Sequence, residues 1–147
     1  MNRKTRLLLL LAWAFAVPAM AQAELTLVNP NLVDKDELQA LPNVDDEIAQ
    51  AIIDGRPYSS AVDLDTALAG VMDDEQREAL YTRLFQPIAL NTASEAEFLL
   101  IPGVSKKMAH EFVEYRPYKS MEQFRREIGK YVDDDEVARL ESYVTLN

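Results

Sequence analysis

The chain has no cysteine and a single histidine, His110. Without thiols it cannot carry disulfides, a lipid-modified N-terminal cysteine or a thiolate metal site. One histidine between Ala109 and Glu111 provides neither a zinc cluster nor a Ser/His or Cys/His nucleophilic pair, and it reads as a partly exposed helix residue. No glycine-rich phosphate loop, nucleophile elbow or dinucleotide fingerprint occurs. Nothing therefore points to catalysis, a cofactor, a metal or a small-molecule substrate. The one long apolar run, Leu7 to Val17, falls short of the roughly 20 residues that span a bilayer. It follows Arg3, Lys4 and Arg6 and precedes Ala21-Gln22-Ala23, which is the layout of a cleaved export signal over residues 1–23. Cleavage before Glu24 implies a periplasmic or secreted product that does not span the membrane. It also removes the only tryptophan, Trp13.

Positive charge is scarce as well. Residues 24–147 hold 12 basic against 25 acidic side chains, a net of −13. The imbalance is uneven: residues 24–88 have 4 basic and 14 acidic side chains, residues 89–147 have 8 and 11. A binder of nucleic acid would have to use the second half.

What is present is a duplication. Leu41-Pro42-Asn43-Val44 returns 60 residues later as Ile101-Pro102-Gly103-Val104, and Arg56-Pro57-Tyr58 returns as Arg116-Pro117-Tyr118. Asp73-Asp74-Glu75 returns as Asp133-Asp134-Asp135. A match in register from residue 31 to residue 144 predicts two tandem modules, 24–88 and 89–147. Each reads as four short helices with no convincing strand, so the expected class is all-α, two four-helix units packed through a short link near Gln86-Pro87. In the second copy, Ser94 to Glu97 and Ser120 to Gln123 have capping-box spacing. Met108, Ala109, Phe112 and Val113 recur at helical spacing, and Phe98, Leu99 and Ile101 supply the apolar face of the helix before them. Final helices are expected over Asp73 to Phe85 and Asp133 to Val144. The acidic triplets at Asp45, Asp73 and Asp133 lack the alternating spacing and central glycine of an EF-hand, and each opens a helix, where carboxylates cap amides. Tyr58 and Tyr118 read as core plugs, Asn91 and Thr92 as turn or cap residues.

Leu90-Asn91-Thr92-Ala93-Ser94, then Phe98, then Ile101-Pro102-Gly103-Val104-Ser105-Lys106-Lys107-Met108-Ala109 closely resembles the helix-hairpin-helix module of ComEA-type competence proteins. The resemblance implies that the hairpin binds the backbone of double-stranded DNA without reading sequence, in a DNA-uptake role. It nominates Gly103, Val104 and Ser105 as amide donors in a nest at a helix N-terminus, with Lys106 and Lys107 adding charge. Lys119, Arg125, Arg126 and Lys130 could supplement them, each phosphate contact adding about −0.9 to the salt slope. Two features depart from that family: Ser105 stands where a second hairpin glycine is usual, and the Arg-Pro-Tyr connection is shorter. The latter resembles the extrinsic subunit U of photosystem II, which implies an alternative in which the chain is an acidic scaffold for a protein partner. In the first copy, Asp45, Asp46 and Glu47 stand where a phosphate would dock and should repel it.

Overall fold

The computed structural model describes residues 26–147; the export signal expected over residues 1–23 lies outside the described residues. Eight helices follow in order: α1 (Lys35–Gln39), α2 (Asp46–Asp54), α3 (Ala61–Leu68), α4 (Asp74–Tyr81), α5 (Glu95–Phe98), α6 (Lys106–Glu114), α7 (Met121–Ile128) and α8 (Asp134–Glu141). Two-residue strands β1 (Ile88–Ala89) and β2 (Val144–Thr145) pair in parallel. The architecture is all-α, with four helices in each copy.

Helices of four to nine residues are marginal in water by themselves. Each is held by its start and by burial of one face. All eight begin on a serine or aspartate in extended backbone whose side chain accepts the amide three residues on: Asp34, Asp45, Ser60 and Asp73 in the first copy, Ser94, Ser105, Ser120 and Asp133 in the second. Such a cap contributes about 1 kcal/mol. The acidic triplets therefore begin with caps, and the capping box at Ser94 is complete in both directions. The one at Ser120 is only half formed, because Gln123 turns its side-chain oxygen to the Lys119 amide instead.

The last helix of each copy is shorter than its apolar spacing implies, because a pairing remote in sequence pulls the chain straight. α4 ends at Tyr81, and Leu84 forms an isolated parallel bridge with Val28. α8 ends at Glu141, and Val144 pairs with Ile88. Those bridges are 60 residues apart, so each copy is closed in the same way.

The corner after the second helix is also duplicated. Asn31 takes the Tyr58 amide on its side-chain oxygen at 2.7 Å and donates to the Tyr58 carbonyl at 2.9 Å; Asn91 does the same to Tyr118 at 2.7 and 2.9 Å. Arg56 donates to the carbonyls of Pro30 and Val33, and Arg116 to those of Leu90 and Ala93. Both Arg-Pro bonds are cis. Tyr58 and Tyr118 are buried, as core plugs should be. Asn91 is more than a turn residue: it ties the start of its copy to the corner and to the Leu146 carbonyl.

The copies share one continuous apolar core. At their junction Phe85 meets Tyr81 and Tyr143 edge to face, with centroids 5.7 and 5.0 Å apart. The Tyr143 hydroxyl donates to the Tyr81 carbonyl at 3.0 Å, so its buried polar end is satisfied. Leu99, expected on a buried face, is 40% exposed and looks instead into a groove between the copies.

Candidate nucleic-acid interface

The second hairpin runs from Ile101 to Ser105, between α5 and α6. Pro102 stops the first of these helices, and Gly103 reverses the chain at φ +78°. A β-carbon there would meet nothing nearer than the Arg139 guanidinium at 3.7 Å, so glycine is required by backbone conformation rather than by space. Ser105 has φ −81° and ψ 162°, extended backbone that needs no glycine, and its hydroxyl accepts the Met108 amide at 3.2 Å. Serine in place of a second glycine therefore strengthens the helix start without straining the turn.

Of the five nominated residues, Gly103, Ser105, Lys106 and Lys107 have backbone amides with no acceptor among the described residues, the last two because they open α6. Val104 is different: its amide donates to the Ile101 carbonyl at 3.0 Å and its side chain packs on the core. The free donors are thus the two residues flanking Val104 and the first turn of the helix. Lys106 and Lys107 are exposed and have no carboxylate partner among the described residues. Lys107 rests its ammonium 5.8 Å from the centroid of the Tyr131 ring. Amides at a left-handed turn and a helix start, beside two unpaired ammonium groups, make an anion-attracting corner.

The other basic residues named from sequence are occupied, apart from Lys119. Arg125 forms a bidentate pair with Glu141 at 2.7 and 2.5 Å. Arg126 and Lys130 converge on Glu127, whose carboxyl they hold below its usual range. Arg139 is the residue spacing did not reveal. It lies beside Gly103 through the fold, yet both its bonds, at 2.7 Å each, go to Glu136.

The first hairpin has the same shape and the opposite charge. Asn43 takes the left-handed conformation of Gly103, with φ 59°, which asparagine tolerates. Asp45 caps α2, and the counterparts of Lys106 and Lys107 are Asp46 and Glu47, all exposed. Lys35 pairs with Asp46 at 2.8 Å and lowers its pKa. First-copy acid also reaches the second hairpin: a groove of about 510 Å³ has Asp74 and Glu78 on one wall and the residues from Leu99 to Ser105 on the other. Arg77 on that wall is bound by Asp65 and Asp74.

This arrangement defines an all-α protein with a helix-hairpin-helix element at its chemically open end. Residues 85–144 match the family model of the helix-hairpin-helix motif. The match covers the second copy as far as Val144, including every nominated residue. No curated protein and no solved structure matches the chain. Among the described residues, no helix is long and apolar enough to cross a membrane.

Proposed function

We propose that this protein holds duplex DNA by its phosphate backbone, without reading sequence, through the second hairpin. The observation that supports this is the cluster of free amides at Gly103, Ser105, Lys106 and Lys107 beside two lysines with no carboxylate partner. Contacts of that kind position a duplex and convey no base information. The resemblance of Leu90 to Ala109 to ComEA-type competence proteins extends the reading to a non-catalytic holder in DNA uptake, acting in the periplasm after loss of residues 1–23. Few phosphate contacts are available, and the net charge of residues 24–147 opposes approach at low salt. Screening over roughly 8 Å at physiological salt leaves the local contact intact. The expected complex is therefore weak, with a salt slope of about −0.9 for each of its few phosphate contacts.

The first hairpin favours a second role on the same molecule. It keeps the turn but presents Asp45, Asp46 and Glu47, which suits a basic protein surface and no phosphate. In the scaffold reading, akin to the photosystem II subunit, that face is the working one.

Fluorescence anisotropy of a labelled random-sequence duplex, at low and physiological salt, separates the two. The DNA reading expects salt-sensitive binding that Lys106→Glu with Lys107→Glu abolishes while helicity by circular dichroism is kept. Charge reversal across Asp45 to Glu47 should not weaken it. Absence of binding by the unaltered protein at low salt would overturn the DNA reading.

A further inference from the structure

Apart from its hairpin, the second copy differs from the first at a surface built from α6 and the turn after α7. Tyr115, at the end of α6, and Tyr131, just beyond α7, meet hydroxyl to hydroxyl at 2.9 Å, with ring centroids 6.4 Å apart. The Tyr131 hydroxyl also donates to Glu111 at 2.7 Å. Lys107 lies over the Tyr131 ring, and Lys130 lies 4.9 Å from the centroid of the Tyr115 ring. Sixty residues earlier, the positions of Lys107, Glu111, Tyr115, Lys130 and Tyr131 are Glu47, Ala51, Gly55, Gly70 and Val71. The first copy thus folds alike with no ring and no cation there, so the cluster is not needed to build a module.

Tyr131 is also accessible. It is 38% exposed and, with Ser105, Lys107, Met108 and Glu111, lines a groove of about 220 Å³ that starts at the cap residue of the hairpin. Its hydroxyl is fixed by two hydrogen bonds, so the ring is held in place. A fixed, exposed aromatic ring with the Lys107 ammonium over it, next to amides free to meet a phosphate, has the elements that single-stranded nucleic acid sites combine. Bases in a continuous duplex are stacked on one another and leave no free face for it.

We propose that Tyr131 is a stacking platform for an unpaired base, so that the protein holds single-stranded or frayed DNA more tightly than blunt duplex. This rests on the DNA reading of the hairpin and specifies the form of DNA it takes. The base occupies the position of Lys107 over the ring, an exposed cation–π contact that is readily exchanged. Lys107 then turns to the phosphate of the same strand. Glu111 keeps the backbone out of the groove by repulsion and can accept a hydrogen bond from an exocyclic amino group.

The test compares anisotropy titrations of a labelled single-stranded oligonucleotide and a blunt duplex of the same sequence. Tyr131→Val, which installs the first copy's own residue, should weaken single-strand binding about tenfold, within the range for loss of one base stack, and leave duplex binding unchanged. Tyr131→Phe should retain most of the single-strand affinity, since it keeps the ring. Unchanged single-strand binding in Tyr131→Val, or equal weakening of both DNA forms, would overturn the platform while leaving the hairpin reading standing. Failure of the unaltered protein to bind either form at low salt would remove both.

Discussion

The two hairpins share a backbone and differ in charge, and the difference separates what builds this fold from what it can bind. Positions that fix the shape are the same in both copies: a left-handed residue at 43 and 103, the Asn31 and Asn91 ties, the Arg56 and Arg116 anchors, and the buried Tyr58 and Tyr118. Positions that face solvent have diverged. Asp46 and Glu47 became Lys106 and Lys107, or the reverse, and Val71 corresponds to Tyr131. Shape can be kept under such change because these ties, apart from the Asn31 bond to the Gln86 side chain, are made to main-chain groups, which do not depend on the surface residue nearby. A module with the frame and without the lysines still packs into one core with a module that has them.

The strongest test of that shared frame is removal of the asparagine ties. Asn91→Ala leaves the amide and carbonyl of Tyr118 and the carbonyl of Leu146 without their partner, and Asn31→Ala does the equivalent to Tyr58 and the Gln86 side chain. At about 1 kcal/mol for each of the three half-buried bonds, either change should lower the unfolding free energy by about 3 kcal/mol. Urea denaturation gives both values. A large loss in one copy and none in the other would mean that the frame is not shared after all.

Several of these features were legible in the chain itself, and the reason differs from one to the next. The repeat, the eight helices and the breakers at Pro42, Pro102, Arg56-Pro57 and Arg116-Pro117 rest on local signals of periodicity and backbone preference. Asn91 read as a turn residue because its partners lie 27 and 55 residues away. The ends of α4 and α8 were overextended because the Val28–Leu84 and Ile88–Val144 pairings are non-local, and apolar spacing alone continues the helix through them. The basic residues were harder to judge. Arg125 counts as a free cation in sequence, whereas the fold brings Glu141 from 16 residues away to bind it. Arg139 is the converse case, brought to the hairpin only by the packing of α8.

A smaller contrast lies inside the corners. The Tyr58 hydroxyl donates to the Ile52 carbonyl at 2.8 Å, and it reaches there because residue 55 is glycine: a β-carbon at Gly55 would stand 2.4 Å from that oxygen. The counterpart of Gly55 is Tyr115, and the Tyr118 hydroxyl is buried with no partner. Burial raises the pKa of both phenols, so each stays a neutral O–H group at ordinary pH. Tyr58→Phe should therefore destabilise by about 1 kcal/mol, whereas Tyr118→Phe should be neutral or stabilising because it removes a buried unsatisfied hydroxyl. Thermal melts of the two variants resolve the sign. Equal destabilisation would show that the Tyr118 hydroxyl has a partner in solution.

The smallest expected effect concerns His110, whose counterpart in the first copy is Gln50. Its Nδ1 lies 3.0 Å from Glu95 on α5, and its Nε2 lies 3.9 Å from Glu114 on α6. The hydrogen bond to Glu95 and the charge of Glu95 raise its pKa above 6.5, with smaller contributions from Glu114 and Glu111, against slight desolvation. A raised folded-state pKa means that the folded chain holds the proton more tightly than the unfolded chain does. Its contribution to stability is then fully present below about pH 6.5, and is lost as pH rises through the folded value. The same proton adds a positive charge to α6 three residues after Lys107, so the proposed DNA affinity should rise modestly as pH falls through that range. As the chain's only histidine, it gives an unambiguous NMR titration. The measured pKa should exceed 6.5 and return toward it in Glu95→Gln. A value at or below 6.5 in the unaltered protein would mean that the Glu95 contact does not persist, and with it the pH dependence that separates this helix from α2 of the first copy.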